Sequence, residues 1–443
     1  MMSPGRRRYV LFLLFMVSVF NYVDRTILSV LQVPIKEDLG LSDLQLGALT
    51  GLAFALFYTT LSLPIARLAD RWVRKYIIAG SLGVWSGMTA LTGLATNYAG
   101  LVVFRIGVAA GEAGSLPATH SMIADLYPPN KRATALAVWG ISLPVGMLLG
   151  YTAAGTLAEA VGWRVAFAVI GIAGLLLVPV LLFTMREPVR GQFDLGVPYA
   201  ETQLTTRQAV RHLWGIKTFR YLVAGGACHA FAWYAVNSWS APFYVRVHEL
   251  SLGETSLYLA LVNGFGSALG MYLGGRFADH FGARDPRARA RVVAIALYAM
   301  IPFALLQFMV ASATQSMALG AVTFTLMLVY YAPTIVIAHL LVPPNMRAFT
   351  SAVLILILNL FGLGLGPLAT GYVSDLLMEH YGMATDSLRY AVSLAVMFSL
   401  LGGWLYWRAS NLLPSEMLAQ HEAPPTGEML AQHEAPPPSA VKA

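Results

Sequence analysis

Apolar residues in this chain come in about twelve long runs, and each approaches the roughly 20 residues that a helix needs to cross a bilayer core of about 30 Å. The runs lie near 9–31, 44–66, 76–96, 98–124, 133–158, 164–185, 218–245, 254–276, 291–312, 316–341, 349–377 and 387–409. An all-α membrane protein of twelve spanning helices is therefore expected. Composition agrees: 57% of residues are hydrophobic and 12% charged, against roughly 25% charged in a soluble domain, and mean hydropathy is +0.64. The formal net charge of +7 would suit nucleic acid only on a continuous basic face. Here the basic residues are scattered between apolar runs, so no nucleic-acid partner is expected. A single cysteine, Cys228, excludes an intrachain disulfide and a multi-cysteine metal site. No cofactor or metal is called for.

The first run follows Arg6-Arg7-Arg8, as an export signal would. It is too long for one, carries Asp24 and Arg25 and lacks a small-residue cleavage pattern, so it is expected to stay as a helix. With both termini cytoplasmic, the outer loops hold only Lys36, Arg164, Arg246 and Arg389, while Arg25 and Arg105 lie within helices. Of 29 Lys and Arg, that leaves 23 on the inner side, and the positive-inside rule sets this orientation.

Two motifs recur at nearly one offset. Arg67-Leu68-Ala69-Asp70 returns 209 residues later as Arg276-Phe277-Ala278-Asp279. Pro128-Pro129-Asn130-Lys131-Arg132-Ala133 returns after 215 as Pro343-Pro344-Asn345-Met346-Arg347-Ala348. Duplicated membrane halves place binding sites between the repeats. The expected organisation is a six-helix bundle over 1–190, a cytoplasmic linker over 191–217 with an amphipathic stretch near Thr205–Leu213, and a second bundle over 218–411. The rest, 412–443, reads as a disordered tail, because Glu416–Pro425 is copied at Glu428–Pro437 without an apolar face.

These residues resemble the major facilitator superfamily. Its loop signature between helices two and three, Gly-x-x-x-Asp-Arg-x-x-Arg-Arg or Lys, reads here Ala66-Arg67-Leu68-Ala69-Asp70-Arg71-Trp72-Val73-Arg74-Lys75, with alanine for the first glycine. Two passages are similar to the Spinster branch, whose members export or redistribute lysolipids and sphingoid lipids. They are Asn21-Tyr22-Val23-Asp24-Arg25 on helix one, and Arg105 through Ala113 with Pro117 and Ile123-Ala124-Asp125 on helix four. The resemblance implies a multi-pass transporter of the bacterial inner membrane, driven by protons and working by alternating access.

A charge at mid-bilayer costs at least about 2.5–3.5 kcal/mol, so such residues tend to be paired and functional. Asp24, Arg25, Arg105 and Glu112 are the candidates. The economical arrangement has Asp24 reaching toward Arg105, with Glu112 exposed to a central cavity. Asp24 and Glu112 are expected to couple protons, with Arg25 and Arg105 holding an anionic headgroup. A fixed network joining helices one and four remains the alternative. Tyr22, Asn237, Trp239, Asn263, Tyr330 and Tyr331 complete the expected substrate site, polar on one wall and aromatic on the other.

Asp70 and Asp279 are expected to meet the starts of helices eleven and five, beside Arg347 and Arg132, where an acidic side chain finds free backbone N–H groups. With Arg71 and Arg74 they form an expected cytoplasmic gate. Glycines on helices five and eleven, Gly140, Gly146, Gly150 and Gly155 against Gly362, Gly364, Gly366 and Gly371, permit close helix approach. The expected partners are protons, the bilayer and an amphiphilic lipid with a charged head, or else a small organic anion, moved by a monomer. A membrane enzyme is disfavoured by the lack of a His-x-x-x-His pair and a Gly-x-Ser-x-Gly elbow, and ATP drive by the lack of a phosphate-binding loop. A transporter-like sensor stays open.

Overall fold

The computed structural model describes residues 2–193, 206–343 and 346–422, and every regular element among them is helical. Each apolar run coincides with a helical segment. In chain order these are α1 (Pro4–Val30), α2 (Asp43–Ala69), α3 (Arg74–Thr92) and α4 (Tyr98–Leu126). The stretch Thr134–Thr184 turns at Gly162, whose φ of 81° suits glycine, and so divides into α5 (134–161) and α6 (163–184). The second half holds α7 (Lys217–Val247), α8 (Leu252–Gly282), α9 (Ala288–Met309), α10 (Ala313–Leu340), α11 (Phe349–Tyr381) and α12 (Ser387–Glu422). Among the described residues nine segments are long and apolar enough to cross a membrane, Thr134–Thr184 counting once. Single π-helical turns interrupt α2 at Ala48–Leu52, α8 at Val262–Gly266 and α11 at Asn359–Leu363. Such turns rotate the faces on either side of them and favour functional positions.

Three apolar clusters form the core, and their distribution sets the shape of the site. At the end that carries the basic loops there are two. One, around Leu14, Trp85, Met122 and Leu181, belongs to the first half; the other, around Phe219, Leu297, Ile337 and Tyr406, belongs to the second. Toward the opposite end a single cluster joins both halves, with Ile27, Leu46, Tyr151 and Phe167 packed in one body with Trp239, Phe243, Phe308 and Val396. The halves are thus sealed at the end away from the basic loops and separate at the basic end.

Gly146 and Gly150 let α5 close on α1, where added side chains would run into Tyr22, Val19, Val23 and Thr26. Gly155 and Gly371 work between the halves: a side chain begun at Gly155 would meet the Leu252 carbonyl at 2.8 Å, and one at Gly371 would meet that of Asp43.

The linker contributes a helix at Thr206–Gly215. The tail expected to be disordered from 412 instead continues α12 to Glu422. Its anchors are Leu413, buried in the second-half cluster, and Glu416, whose carboxylate accepts the N–H groups of Lys217 (2.9 Å) and Thr218 (2.8 Å) at the start of α7. The span 194–205, Pro344, Asn345, the second tail repeat and the Asp70 side chain lie outside the described residues.

Candidate functional site

The four membrane charges gather in the first half, but not in the expected pairs. Residues 24 and 25 point about 100° apart on a helix, and α1 uses that divergence. Arg25 crosses to α4 and donates from Nε to Glu112 Oε2 at 2.8 Å. Glu112, expected to face the cavity, is instead buried, its side chain wholly covered, while Arg25 keeps 26% of its side-chain exposure. The ion pair is the physical reason: a carboxylate at this depth is stabilised by an adjacent guanidinium, so Glu112 turns to Arg25 rather than to the cavity. Arg105 lies over the Phe54 ring at 4.5 Å, and Arg25 stands 5.1 Å from that ring and 4.9 Å from that of Tyr58. A guanidinium on a ring face is attracted by the ring quadrupole.

Asp24 turns the other way, into the first half, beside Thr89 and Trp85 of α3. No ion pair forms between it and Arg105 among the described residues; they share the lining of a small space of about 10 Å³ with Thr89 and Thr92. That is near the least volume that holds one water, roughly 10–15 Å³. Asp24 Oδ1, Arg105 Nε and Glu112 Oε1 are buried without a hydrogen-bond partner. Buried polar groups are nearly always satisfied, so three unmet atoms in one cluster set this region apart from the apolar packing around it.

Around Arg25 stand three tyrosines within electrostatic reach, Tyr22 and Tyr58 from the first half and Tyr234 from the second, and Tyr331 in turn lies within reach of Tyr22 and Tyr234. Tyr234 donates to Asn359 Oδ1 on α11 at 3.0 Å. Asn237 donates to Asn263 at 2.9 Å, with the Tyr151 hydroxyl close by. Sequence reasoning missed Tyr58 and Phe54, although they lie four residues apart on one face of α2. Trp239 sits elsewhere, and Tyr330 lies beside Tyr331, their rings 6.2 Å apart. Trp239 is buried in the shared cluster and donates to the Pro367 carbonyl at 3.0 Å, and Tyr330 packs edge-on against His229 at 4.6 Å.

Of the expected gate residues, the Asp70 side chain lies outside the described residues. Asp279 and Arg347 are exposed, and among the described residues neither they nor Arg71 makes an ion pair. Arg132 bonds the carbonyls of Ala124 (2.9 Å) and Tyr127 (3.1 Å), within its own half. Arg74 is a buried anchor of the first half, joined to Asp125 at 2.5 Å and Glu187 at 2.7 Å.

Side-chain bonds join the halves at the other end. Arg246 Nη1 donates to both carboxylate oxygens of buried Asp43 at 3.0 and 2.9 Å, Ser374 donates to it at 2.7 Å, and Lys36 pairs with it too. Asp375 of α11 accepts the N–H groups of Asp43 (2.9 Å) and Leu44 (2.7 Å) at the start of α2. Glu159 of α5 accepts that of Gly253 (2.6 Å) at the start of α8. These are the carboxylate-on-helix-start contacts expected at the basic end, found at the opposite one. Ser42 and Ser251 open both helices with capping boxes. They lie 209 residues apart, the offset of the Arg-x-Ala-Asp repeat, and Glu159 and Asp375 lie 216 apart.

Two like helical halves around a charged and aromatic centre, sealed at one end and parted at the other, define a membrane transporter. The family model of the Major Facilitator Superfamily matches residues 14–367. A Mycolicibacterium smegmatis protein described as an MFS-type efflux pump is 33% identical over 408 residues, covering 92% of this chain and 94% of that one. The crystal structure of a bacterial homolog to the human lysosomal transporter Spinster, inward-facing and unoccupied, superposes with a TM-score of 0.88 at 30% identity, over 94% of this chain and 99% of that one. An Escherichia coli protein described as a probable L-galactonate transporter is 26% identical, over 89% of this chain and 87% of its own. The chain belongs to the Major Facilitator Superfamily, as a Spinster-like multi-pass transporter.

Proposed function

We propose that this protein is a proton-coupled carrier of an amphiphilic lipid with a charged head, of lysolipid or sphingoid type, working as a monomer in a bacterial inner membrane. The observation that carries the reading is the Arg25–Glu112 pair standing beside unsatisfied Asp24 and Arg105. A nearby cation favours an ionised carboxylate and burial disfavours it. If rocking of the halves alters the water around this cluster, Glu112 and Asp24 change proton occupancy, and Arg25 is released toward the tyrosines when Glu112 is neutral. There a cation faces the centre with rings from both halves around it, which suits an anionic head joined to an apolar body. The sealed end carries Asp43, and the basic end carries Asp70 and Asp279, as the two gates that rocking makes and breaks in turn.

The test is transport into proteoliposomes under a pH gradient. Asp24→Asn and Glu112→Gln are expected each to lower gradient-driven accumulation at least about a hundredfold, the lower end of what general acid–base groups contribute, while ligand binding persists. Undiminished gradient-driven flux in both variants sinks the coupling role. A second reading, carriage of a small organic anion, is favoured by the likeness to the L-galactonate protein. Competition between a lysolipid series and sugar acids or dicarboxylates for the central site separates the two, and a sensor would bind its ligand without accumulating it.

A further inference from the structure

At the basic end of the first half, α1 and α5 stand apart and leave a groove of about 620 Å³ that the transport site does not use. Ligand pockets span roughly 300–1,000 Å³. One wall is Arg8, Leu11, Phe12 and Phe15; the facing wall is Lys131, Thr134, Ala135 and Val138. Both sets run i, i+3, i+4, i+7, so each wall is a single helix face. Over seven residues a helix rises about 10 Å, and each face begins with a cation and continues almost wholly apolar. Phe12 is 55% exposed and Val138 45%, so neither is covered by the packed clusters. Neither Arg8 nor Lys131 makes an ion pair among the described residues, and Tyr127 adds a hydroxyl between the walls. Two cations level with each other above an apolar trough select an amphiphile in one orientation.

We infer that this groove is a binding site for an anionic phospholipid of the bilayer, its phosphate held between Arg8 and Lys131 and one acyl chain laid along Leu11, Phe12, Phe15 and Val138. Basic pockets between membrane helices recognise anionic headgroups in this way. A soluble anion would satisfy the cations and leave the trough wet, whereas a zwitterionic lipid would set its own cation against them. Both walls belong to one half, so the site does not depend on the identity of the transported substrate.

Native mass spectrometry of the full chain, released from nanodiscs holding equal phosphatidylglycerol and phosphatidylcholine, tests the assignment. Phosphatidylglycerol is expected to be retained at least tenfold over phosphatidylcholine, and inorganic phosphate at the same concentration is not expected to displace it. Arg8→Gln with Lys131→Gln abolishes the selectivity, and Val138→Trp, which fills the trough, removes the lipid while leaving the cations. All three positions are exposed, and unchanged elution on size exclusion checks that the variants fold. Equal retention of the two lipids by the unsubstituted chain overturns the inference, as does retention that survives these substitutions. Loss of the lipid in Glu112→Gln but not in the groove variants also overturns it, because the lipid would then lie at the centre. None of these outcomes bears on proton coupling, which is read from flux.

Discussion

The two ends of the molecule treat charge in opposite ways. Away from the basic loops, every cation of the predicted outer loops has an acidic partner: Lys36 and Arg246 share Asp43, Arg164 meets Asp38 and Arg389 meets Asp386 at 2.7 Å. At the basic end Arg74 is anchored between Asp125 and Glu187, but Arg71 and Arg347 make no ion pair among the described residues. The sealed end thus uses its acids to close the molecule, whereas at the basic end Asp279, Arg71 and Arg347 make no ion pair among the described residues.

The largest effect is expected at Asp43. Removing one partner of a buried ion pair costs about 3–5 kcal/mol, and about 5.5 kcal/mol shifts a two-state ratio by about 10⁴. Asp43→Asn leaves Arg246 and Lys36 facing each other, so the ratio of sealed to open end should fall by about two to four decades. Distances between spin labels at the outer ends of α2 and α11 should report a majority of the wide population. An unchanged distribution would mean that the apolar cluster alone holds this end shut.

A smaller, symmetric effect belongs to the two carboxylates on helix starts, each worth about 0.3–1 kcal/mol and up to about 2 kcal/mol when partly buried. Glu159→Gln and Asp375→Asn should each shift the same distances by a few-fold, in the same direction, and they share no partner, so their effects should add. Asp279→Asn at the basic end should move the population the opposite way, by favouring the basic-open state. If Asp279→Asn and Asp375→Asn shifted the distances alike, the notion of paired gates at the two ends would fail.

Much of this was legible in the chain. Run length located the helices, and the offsets of 209 and 215 revealed the two halves. The clustering of Asp24, Arg25, Arg105 and Glu112 could be read from their helices, but their pairing could not, since it depends on how far α1 and α4 are rotated about their axes. The seal was missed because its members lie at helix ends and loops, where the apolar pattern stops, and Asp43 and Asp375 are 332 residues apart. A signal was present even so: Leu41-Ser42 and Leu250-Ser251 repeat at the 209 offset, each three residues ahead of a Gln or Glu that completes a capping box. The continuation of α12 past 412 left no such mark, because it rests on Glu416 meeting the start of α7.

The smallest expected effect lies at the exposed edge of the sealed end. Asp38 is held below the usual carboxylate range, chiefly by the hydrogen bond from Arg164, with a second from Trp163 Nε1 at 3.2 Å. Because its folded value is depressed, the stabilisation is fully present above the unfolded value of about 3.9 and disappears as pH falls through the folded value. Arg164→Gln should return Asp38 toward ordinary titration in carboxyl-labelled NMR and lower the unfolding temperature slightly at pH 6. The gap should narrow as pH drops below about 4, to whatever the lost Arg164 bond to the Ala95 carbonyl (3.0 Å) accounts for. A gap that stayed constant across that range would assign all of Arg164's contribution to the carbonyl bond. The contrast between paired and unpaired cations at the two ends would then hold no energetic difference at this position, in keeping with its solvent exposure and unlike buried Asp43.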